Sequence, residues 1–164
     1  GAPDPAAPDG GWRAHARKFV EDLLPLAREA AAKLGVAPQA IIAQAALETG
    51  FGRHQPGGQS NNLFGIKAFS SWRGARVQAD TTEVRAGQAQ TESAAFRAYD
   101  SVRDSVGDYV ALLSQPRYTA ARNTGADVAG FARGLQQAGY ATDPHYARKI
   151  TDIAQRLVRE GWVP

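Results

Sequence analysis

Two carboxylates in this sequence are placed where they could perform acid–base chemistry, and Glu48 is the first. It follows the apolar segment 40–47 and precedes Gly50 and Gly52. Because glycine commonly ends a helix, the pattern predicts a mostly buried helix with Glu48 in its last turn. The negative end of the helix dipole and apolar surroundings disfavour an ionised carboxylate, so Glu48 is a candidate general acid. The alternative is a side chain that simply reaches into solvent.

Glu83 is the second carboxylate, and it lies late in a segment with strand periodicity. Side chains of alternating character occupy positions 76–83, which is typical of a β-strand. Residues 85–88 can turn the chain and residues 91–99 can return as a second strand, so we expect an antiparallel hairpin over about residues 75–99. The simplest interpretation of Glu83 alone is a solvated side chain beside this turn.

An acid on a helix that faces a carboxylate on a β lobe is an arrangement that glycoside hydrolysis can use. One carboxyl group protonates the leaving oxygen, and the other activates water or stabilises positive charge on the sugar. Different surroundings would separate the two pKa values. Apolar walls and the helix end would raise the pKa of Glu48, whereas a wetter lobe would leave Glu83 ionised.

Two tyrosines have different expected environments. Tyr109 lies on the apolar stripe of a predicted helix over residues 101–113, which favours packing in the core with a satisfied hydroxyl. Tyr140 comes just after the end of another predicted helix. It is therefore the better candidate for the wall of a cleft.

Asn62 and the aromatic residues near the hairpin each have two interpretations. Asn62 could hydrogen-bond an acetamido group, or it could hold its own loop through an Asx-type turn. Phe64, Phe69 and Trp72 could present aromatic faces to a sugar, or they could form a small core under the hairpin.

Composition excludes several classes of site. Of the 164 residues 43% are hydrophobic, which is typical of a globular chain, and the net charge of +3 is too weak and too dispersed to favour nucleic acid. Cysteine is absent, which excludes disulfides, thiolate metal sites and a cysteine nucleophile. The histidines His15, His54 and His145 are isolated, so we expect no metal and no other cofactor. No apolar run is long enough for a membrane span.

Helical patterns fill most of the remaining chain. Residues 1–11 are rich in Pro, Ala and Gly and are expected to be a linker, whereas residues 12–164 are expected to form one domain. Pro25 either kinks the first helix or begins a second piece, and Asp143 and Pro144 are expected to start the last helix as its N-cap and first residue. Five or six helices and one small hairpin predict an α+β fold that is predominantly α.

Five motifs in this order make the chain resemble glycoside hydrolase family 73. They are QAALETGFG from Gln44, NLFGIK from Asn62, TTE from Thr81, DYV from Asp108 and AGYATDP from Ala138. The resemblance covers nearly the whole chain and implies a lysozyme-like helical body with the hairpin as a β lobe. It also implies endo-β-N-acetylglucosaminidase activity on the β-1,4 bond from N-acetylglucosamine to N-acetylmuramic acid in peptidoglycan.

The resemblance assigns catalytic roles by position. Glu48 matches the general acid of the family, Glu83 matches the second carboxylate on the β lobe, and Tyr109 matches a tyrosine that is important for activity. The family commonly has Ser and Trp after the acid, where this sequence has Thr49 and Phe51. This mild change is compatible with the expected helix end.

The resemblance also implies the substrate and the partners of the protein. Asn62, Phe64 and Tyr140 match substrate-binding positions of the cleft, so peptidoglycan glycan strands are the expected partner. Within the family the motifs most resemble the hydrolase domain of a flagellar rod protein. This implies a monomer in the periplasm that opens the wall for rod assembly. It also implies that the protein contacts rod proteins through a missing N-terminal region. A lytic transglycosylase and a non-catalytic wall-binding module are the alternatives.

Overall fold

The computed structural model describes residues 10–164, which form a helical body with a β-hairpin attached to it. The helices are α1 (Gly10–Leu34), α2 (Pro38–Thr49), α3 (Val102–Leu113), a 3₁₀ helix (Pro116–Ala121), α4 (Val128–Gln137) and α5 (Tyr146–Arg159). The strands are β1 (Arg76–Arg85) and β2 (Gln88–Arg97), and they pair antiparallel. The predominantly α architecture with a hairpin near residues 75–99 is therefore confirmed. No helix of the described residues is long and apolar enough to cross a membrane.

The first helix is continuous through Pro25. Pro25 lies on the exposed side of α1, where water can bind the carbonyl group that loses its helical partner. Of the two alternatives that the sequence allowed, a second helical piece that begins at Pro25 is thus not observed. The expected linker lies outside the described residues except for Gly10 and Gly11, which are the first two residues of α1.

Helix α2 lies at the centre of the body and contacts α1, α4 and α5. Its residues 40–46 are at most 1% exposed, because apolar or small side chains surround the helix on nearly every side. The helix ends at Gly50, which takes a left-handed φ of 56° and donates its N–H to the Ala46 carbonyl. Glu48 therefore lies in the last turn, as the two glycines predict.

The hairpin closes through Ala86 and Gly87, which have φ values of 52° and 77°. Positive φ at both central residues is the conformation that matches the twist of a two-residue hairpin. Arg85 pairs with Gln88 across this turn, and the register continues to Arg76 and Arg97. On β1 the odd-numbered side chains from 77 to 83 face inward, in agreement with the alternation of the sequence.

The last helix begins two residues later than predicted. Its first residue is Tyr146, and Pro144 and His145 form a turn before it. The Asp143 carboxylate accepts a hydrogen bond from His145 N at 2.8 Å and pairs with Lys149 Nζ. Asp143 therefore stabilises an Asx-type turn, which delays the start of the helix. By contrast, α3 begins with a regular N-cap, since the Ser101 hydroxyl accepts a hydrogen bond from Asp104 N at 3.0 Å.

Two helical glycines provide a test of how tightly α4 packs. A Cβ atom at Gly134 would lie 2.7 Å from the backbone of Ala120 in the 3₁₀ helix, whereas one at Gly107 on α3 would meet nothing within 4 Å. We expect Gly134→Ala to lower the free energy of unfolding by about 1–3 kcal/mol through overpacking. Gly107→Ala should instead raise it by up to about 1 kcal/mol through helix propensity. Urea unfolding measures both, and equal effects of the two variants would contradict the packing described here.

Candidate active site

A cleft of about 540 Å³ lies between the helical body and the hairpin. The end of α2 contributes Glu48, and β1 contributes Glu83. The loop between α4 and α5 adds Tyr140 and Thr142, and α5 adds Tyr146. The structure therefore brings both predicted carboxylates to one cavity, although they lie on different elements.

Glu48 is a largely desolvated carboxyl group with one close hydrogen-bond donor. Tyr146 donates its hydroxyl to Glu48 Oε1 at 2.8 Å. Burial raises the pKa of Glu48 to about 7, and the negative charge of Glu83 adds to the increase. The Tyr146 hydrogen bond and the Lys67 charge act in the opposite direction but do not outweigh burial. Glu48 can thus hold a proton near neutral pH, as a general acid must.

Glu48 stands at the end of a buried chain of hydrogen bonds. Tyr109 donates its hydroxyl to Gln44 Oε1 at 2.6 Å. Gln44 Nε2 then donates to the Tyr146 hydroxyl at 3.0 Å, and Tyr146 donates to Glu48. The three hydrogen bonds all run in one direction, from Tyr109 through Gln44 and Tyr146 to Glu48. This chain fixes the position of the Glu48 carboxyl group from inside the protein.

Tyr109 and Phe64 do not lie in the cleft, although the resemblance matches Phe64 to a cleft position and Tyr109 to a tyrosine that is important for activity. Both are 0% exposed, and their rings stack on each other with centroids 3.9 Å apart. Burial raises the pKa of Tyr109 well above its usual value, so its hydroxyl stays a neutral donor. The apolar stripe of α3 explains this position. Tyr109 cannot touch a sugar or the attacking water, and it reaches Glu48 only through Gln44 and Tyr146.

Asn62 is also absent from the cleft, because its amide is used inside the protein. Its Nδ2 atom donates to the carbonyls of Ile66 and Arg97, each at 2.9 Å, and its Oδ1 atom accepts from Ile66 N at 3.1 Å. The side chain is 0% exposed. The expectation that Asn62 binds substrate is therefore wrong. Asn62 instead closes its own loop and joins that loop to β2.

Tyr140 lies in the cleft wall and packs among aromatic rings. Its ring stacks on Tyr146 with centroids 5.9 Å apart and meets Tyr118 edge-on at 6.0 Å. Its hydroxyl donates to the Phe64 carbonyl at 2.6 Å. Because the hydroxyl is satisfied by the backbone, the exposed part of Tyr140 is mainly its ring.

Glu83 is held as an anion by three donors. Lys67 Nζ lies 2.7 Å from Oε1, the Thr142 hydroxyl donates to Oε2 at 2.5 Å, and the Thr81 hydroxyl donates to Oε1 at 3.3 Å. Burial alone would raise the pKa of Glu83, but the hydrogen bonds from Lys67 and Thr142 and the Lys67 charge outweigh it and lower the pKa. With 6% exposure Glu83 is not a solvated side chain.

Three members of the site were missed by the sequence reasoning. Tyr146 lies on the apolar stripe of α5, which by itself predicts core packing, and no pattern in the sequence indicates a role for Lys67 or Thr142. Lys67 stands in NLFGIK and Thr142 in AGYATDP, so their presence in two of the five motifs was the available signal. Within residues 10–164 no three His, Asp or Glu side chains cluster closely enough to hold a metal ion.

Comparison with known proteins gives matches along most of the chain. The family model for glucosaminidases, described as mannosyl-glycoprotein endo-beta-N-acetylglucosaminidase, matches residues 24–159. Peptidoglycan hydrolase FlgJ of Pseudomonas aeruginosa is 47% identical over 161 residues, which cover 95% of this chain and 40% of that protein. The chain thus spans less than half the length of this curated relative.

Solved structures show the same fold. A peptidoglycan hydrolase mutant from Sphingomonas sp. A1 superposes with a TM-score of 0.80 at 42% identity, over 87% of this chain and 99% of that one. A C-terminally truncated glycoside hydrolase domain from Salmonella typhimurium FlgJ superposes with a TM-score of 0.68 at 44% identity, over 88% of this chain and 98% of that one.

The raised pKa of Glu48 predicts a pH-dependent gain in stability when its carboxyl group is replaced. As the pH rises from about 4.5 to 7, the unfolded chain releases this proton before the folded protein does, so the free energy of unfolding falls. The loss is on the order of 3 kcal/mol. Glu48→Gln keeps an acceptor for Tyr146 but has no proton to lose. We therefore expect the stability of Glu48→Gln relative to the parent to increase across this range.

Urea unfolding at several pH values between 4 and 8 measures this difference. Glu29→Gln is a suitable control, because Glu29 is exposed and pairs with Arg103 on the surface. It should change stability by less than about 1 kcal/mol. A stability difference between Glu48→Gln and the parent that does not vary with pH would contradict a raised Glu48 pKa.

Proposed function

The chain belongs to the glucosaminidase family, and we propose that it hydrolyses the β-1,4 bond from N-acetylglucosamine to N-acetylmuramic acid in peptidoglycan. One observation carries the proposal. A carboxyl group with a pKa near 7 and an ionised carboxylate line the same cleft, and their pKa values are displaced in opposite directions. In a glycosidase, pKa values shifted in opposite directions distinguish the carboxyl group that donates the proton from the carboxylate that stays ionised.

Glu48 supplies the proton in the proposed mechanism. A glycan strand lies in the cleft with its bridging oxygen at the Glu48 carboxyl group. Proton transfer to that oxygen accompanies cleavage of its bond to the N-acetylglucosamine ring. Tyr146 holds the Glu48 carboxyl group in place and remains a neutral donor throughout, since burial raises its own pKa well above the usual value.

Glu83 acts on the developing positive charge. As a base it would activate water, which predicts inversion and a gap of roughly 6.5–9.5 Å between the carboxyl groups. As a stabilising anion it would support an oxazolinium formed by the N-acetyl group of the substrate, which predicts retention. The lowered pKa makes Glu83 a weak proton acceptor and so favours the second role. Product stereochemistry by NMR separates the two.

The cleft favours hydrolysis over two alternatives. A lytic transglycosylase can operate with a single glutamate, whereas this cleft holds a second carboxylate on three donors. A non-catalytic wall-binding module would have no need of a carboxyl group with a pKa near 7. Mass spectrometry distinguishes both alternatives from a hydrolase. A transglycosylase leaves anhydro-muramic ends, and a wall-binding module releases no fragments.

We infer that the whole protein acts outside the cytoplasm, in the periplasm, and opens the wall for assembly of a flagellar rod. The likeness to peptidoglycan hydrolase FlgJ supports this context. Flagellar rod proteins are the partners that this context implies, in addition to glycan strands.

The proposed function first predicts which bond is cleaved and which group supplies the proton. Digestion of purified peptidoglycan should release fragments whose reducing end is N-acetylglucosamine. Glu48→Gln should lower turnover by about 10²–10⁴-fold, because it removes the general acid. Turnover of the parent should also fall as the pH rises through about 7, where Glu48 loses its proton.

Borohydride labelling followed by mass spectrometry identifies the reducing end. Glu29→Gln serves as the surface control and should digest at the parent rate. N-acetylmuramic acid at the reducing end would overturn the bond assignment, and an anhydro-muramic end would indicate a transglycosylase. Unchanged turnover in Glu48→Gln would remove Glu48 from the mechanism.

The second prediction concerns Glu83. Glu83→Gln removes the charge but retains two polar atoms for the surrounding groups, so we expect a smaller yet clear loss of at least about tenfold in turnover. Glu29→Gln is again the control, since Glu29 lies on the surface of α1 and outside the cleft lining. Equal rates for Glu83→Gln and Glu29→Gln would return Glu83 to a structural role.

A further inference from the structure

Phe69 is an apolar side chain left exposed beside the cleft. It is 63% exposed, and within residues 10–164 the other exposed large apolar side chain is Val158 at 49%. Phe69 lines the cleft, whereas Val158 lies on α5 away from it. The Phe69 ring stacks on no other ring of the described residues, whereas the Phe64 ring is packed on Tyr109. A single exposed apolar side chain is ordinary on a protein surface, but Phe69 is exposed within the cleft, where a bound ligand can cover its ring.

The backbone under Phe69 is firmly held. The Arg76 guanidinium donates from Nη1 to the Ala68 carbonyl at 2.9 Å and from Nη2 to the Phe69 carbonyl at 3.0 Å. Trp72 N also donates to the Phe69 carbonyl at 2.9 Å. The ring is therefore presented on an ordered backbone rather than on a free loop.

Phe69 lines the cleft together with Lys67, the residue that pairs with Glu83. Residues 66–68 run antiparallel to β2, with Lys67 paired to Phe96 and Ala68 N donating to the Ala95 carbonyl at 2.8 Å. In an extended segment, side chains two residues apart lie on one face, about 6.6 Å apart along the chain. Ala68 is buried, while Lys67 and Phe69 both line the cleft. Phe69 therefore lines the same cleft two residues after Lys67, which pairs with Glu83.

We propose that Phe69 is a platform for a sugar ring of the bound glycan, next to the ring that reacts. This rests on the proposed function, since it assumes a β-1,4-linked glycan of N-acetylated hexosamines as the substrate. Such sugars carry their polar groups around the rim and present C–H groups on their faces. An aromatic face covers these C–H groups and is itself removed from water. Phe69 would then position substrate without contacting the reacting atoms.

Binding measured separately from catalysis tests the role of Phe69. In a Glu48→Gln background, calorimetry with a soluble muramic acid-containing tetrasaccharide gives Kd without turnover. We expect Phe69→Ala to weaken binding about tenfold, and Phe69→Trp to bind as the parent does. In chains that retain Glu48, Phe69→Ala should raise KM and leave kcat within about twofold. Val158→Ala is the matched control and should change neither constant.

Unchanged binding in Phe69→Ala, or failure of Phe69→Trp to restore it, would overturn the proposal. A drop in kcat without a change in KM would also overturn it, since that result indicates distortion of the site. These outcomes are separate from failure of the proposed function. If the parent chain releases no fragments or cleaves a different bond, the proposed function fails, whatever Phe69→Ala does to Kd.

Discussion

The hydrogen bond from Tyr146 to Glu48 is the contact on which the site depends. It joins the end of α2 to the start of α5, and it continues inward through Gln44 to Tyr109 on α3. Buried polar groups are costly unless each finds a partner, so the chain constrains how these three helices can pack. Because its members are neutral, it orients the Glu48 carboxyl group without adding a cation. Burial can then raise the Glu48 pKa even though the hydrogen bond alone would lower it.

The second carboxylate depends on how the hairpin is attached to the body. A two-stranded sheet is marginally stable by itself, so β1 and β2 need contacts outside the sheet. Asn62 supplies one through the Arg97 carbonyl, and Thr142 supplies another by accepting from Val84 N at 3.0 Å while donating to Glu83. Thr142 therefore both attaches the hairpin to the body and helps to keep Glu83 ionised.

The parts of the site that the sequence predicted are those set by local rules. Gly50 ends α2 and so places Glu48 in its last turn, and the alternation along β1 turns Glu83 inward. The family resemblance is confirmed by the match of residues 24–159 and by the solved structures. These features can be predicted from residues that are close in sequence or from motifs in a fixed order.

The remaining parts depend on contacts between distant residues. The resemblance matched Asn62 to a substrate-binding position, whereas one contact that uses its amide inside the protein, the Arg97 carbonyl, is 35 residues away in sequence. Thr142 reaches Glu83 across 59 residues, and Tyr146 reaches Glu48 across 98. Helical periodicity assigned Tyr146 to the core but could not show where its hydroxyl points. Tyr109 is the reverse case, because its apolar stripe predicted the buried position that the structure shows.

The central claim is that Glu48 carries a proton near neutral pH, and titration of its carboxyl carbon tests this most directly. Carbon-13 NMR of protein labelled at the glutamate carboxyl groups follows each residue with pH, and the signal missing from Glu48→Gln identifies Glu48. We expect a midpoint near 7 for that signal and a midpoint below the usual glutamate range for the Glu83 signal. A Glu48 midpoint at or below 4.5 would contradict it, because the group would then be ionised when the reaction requires an acid.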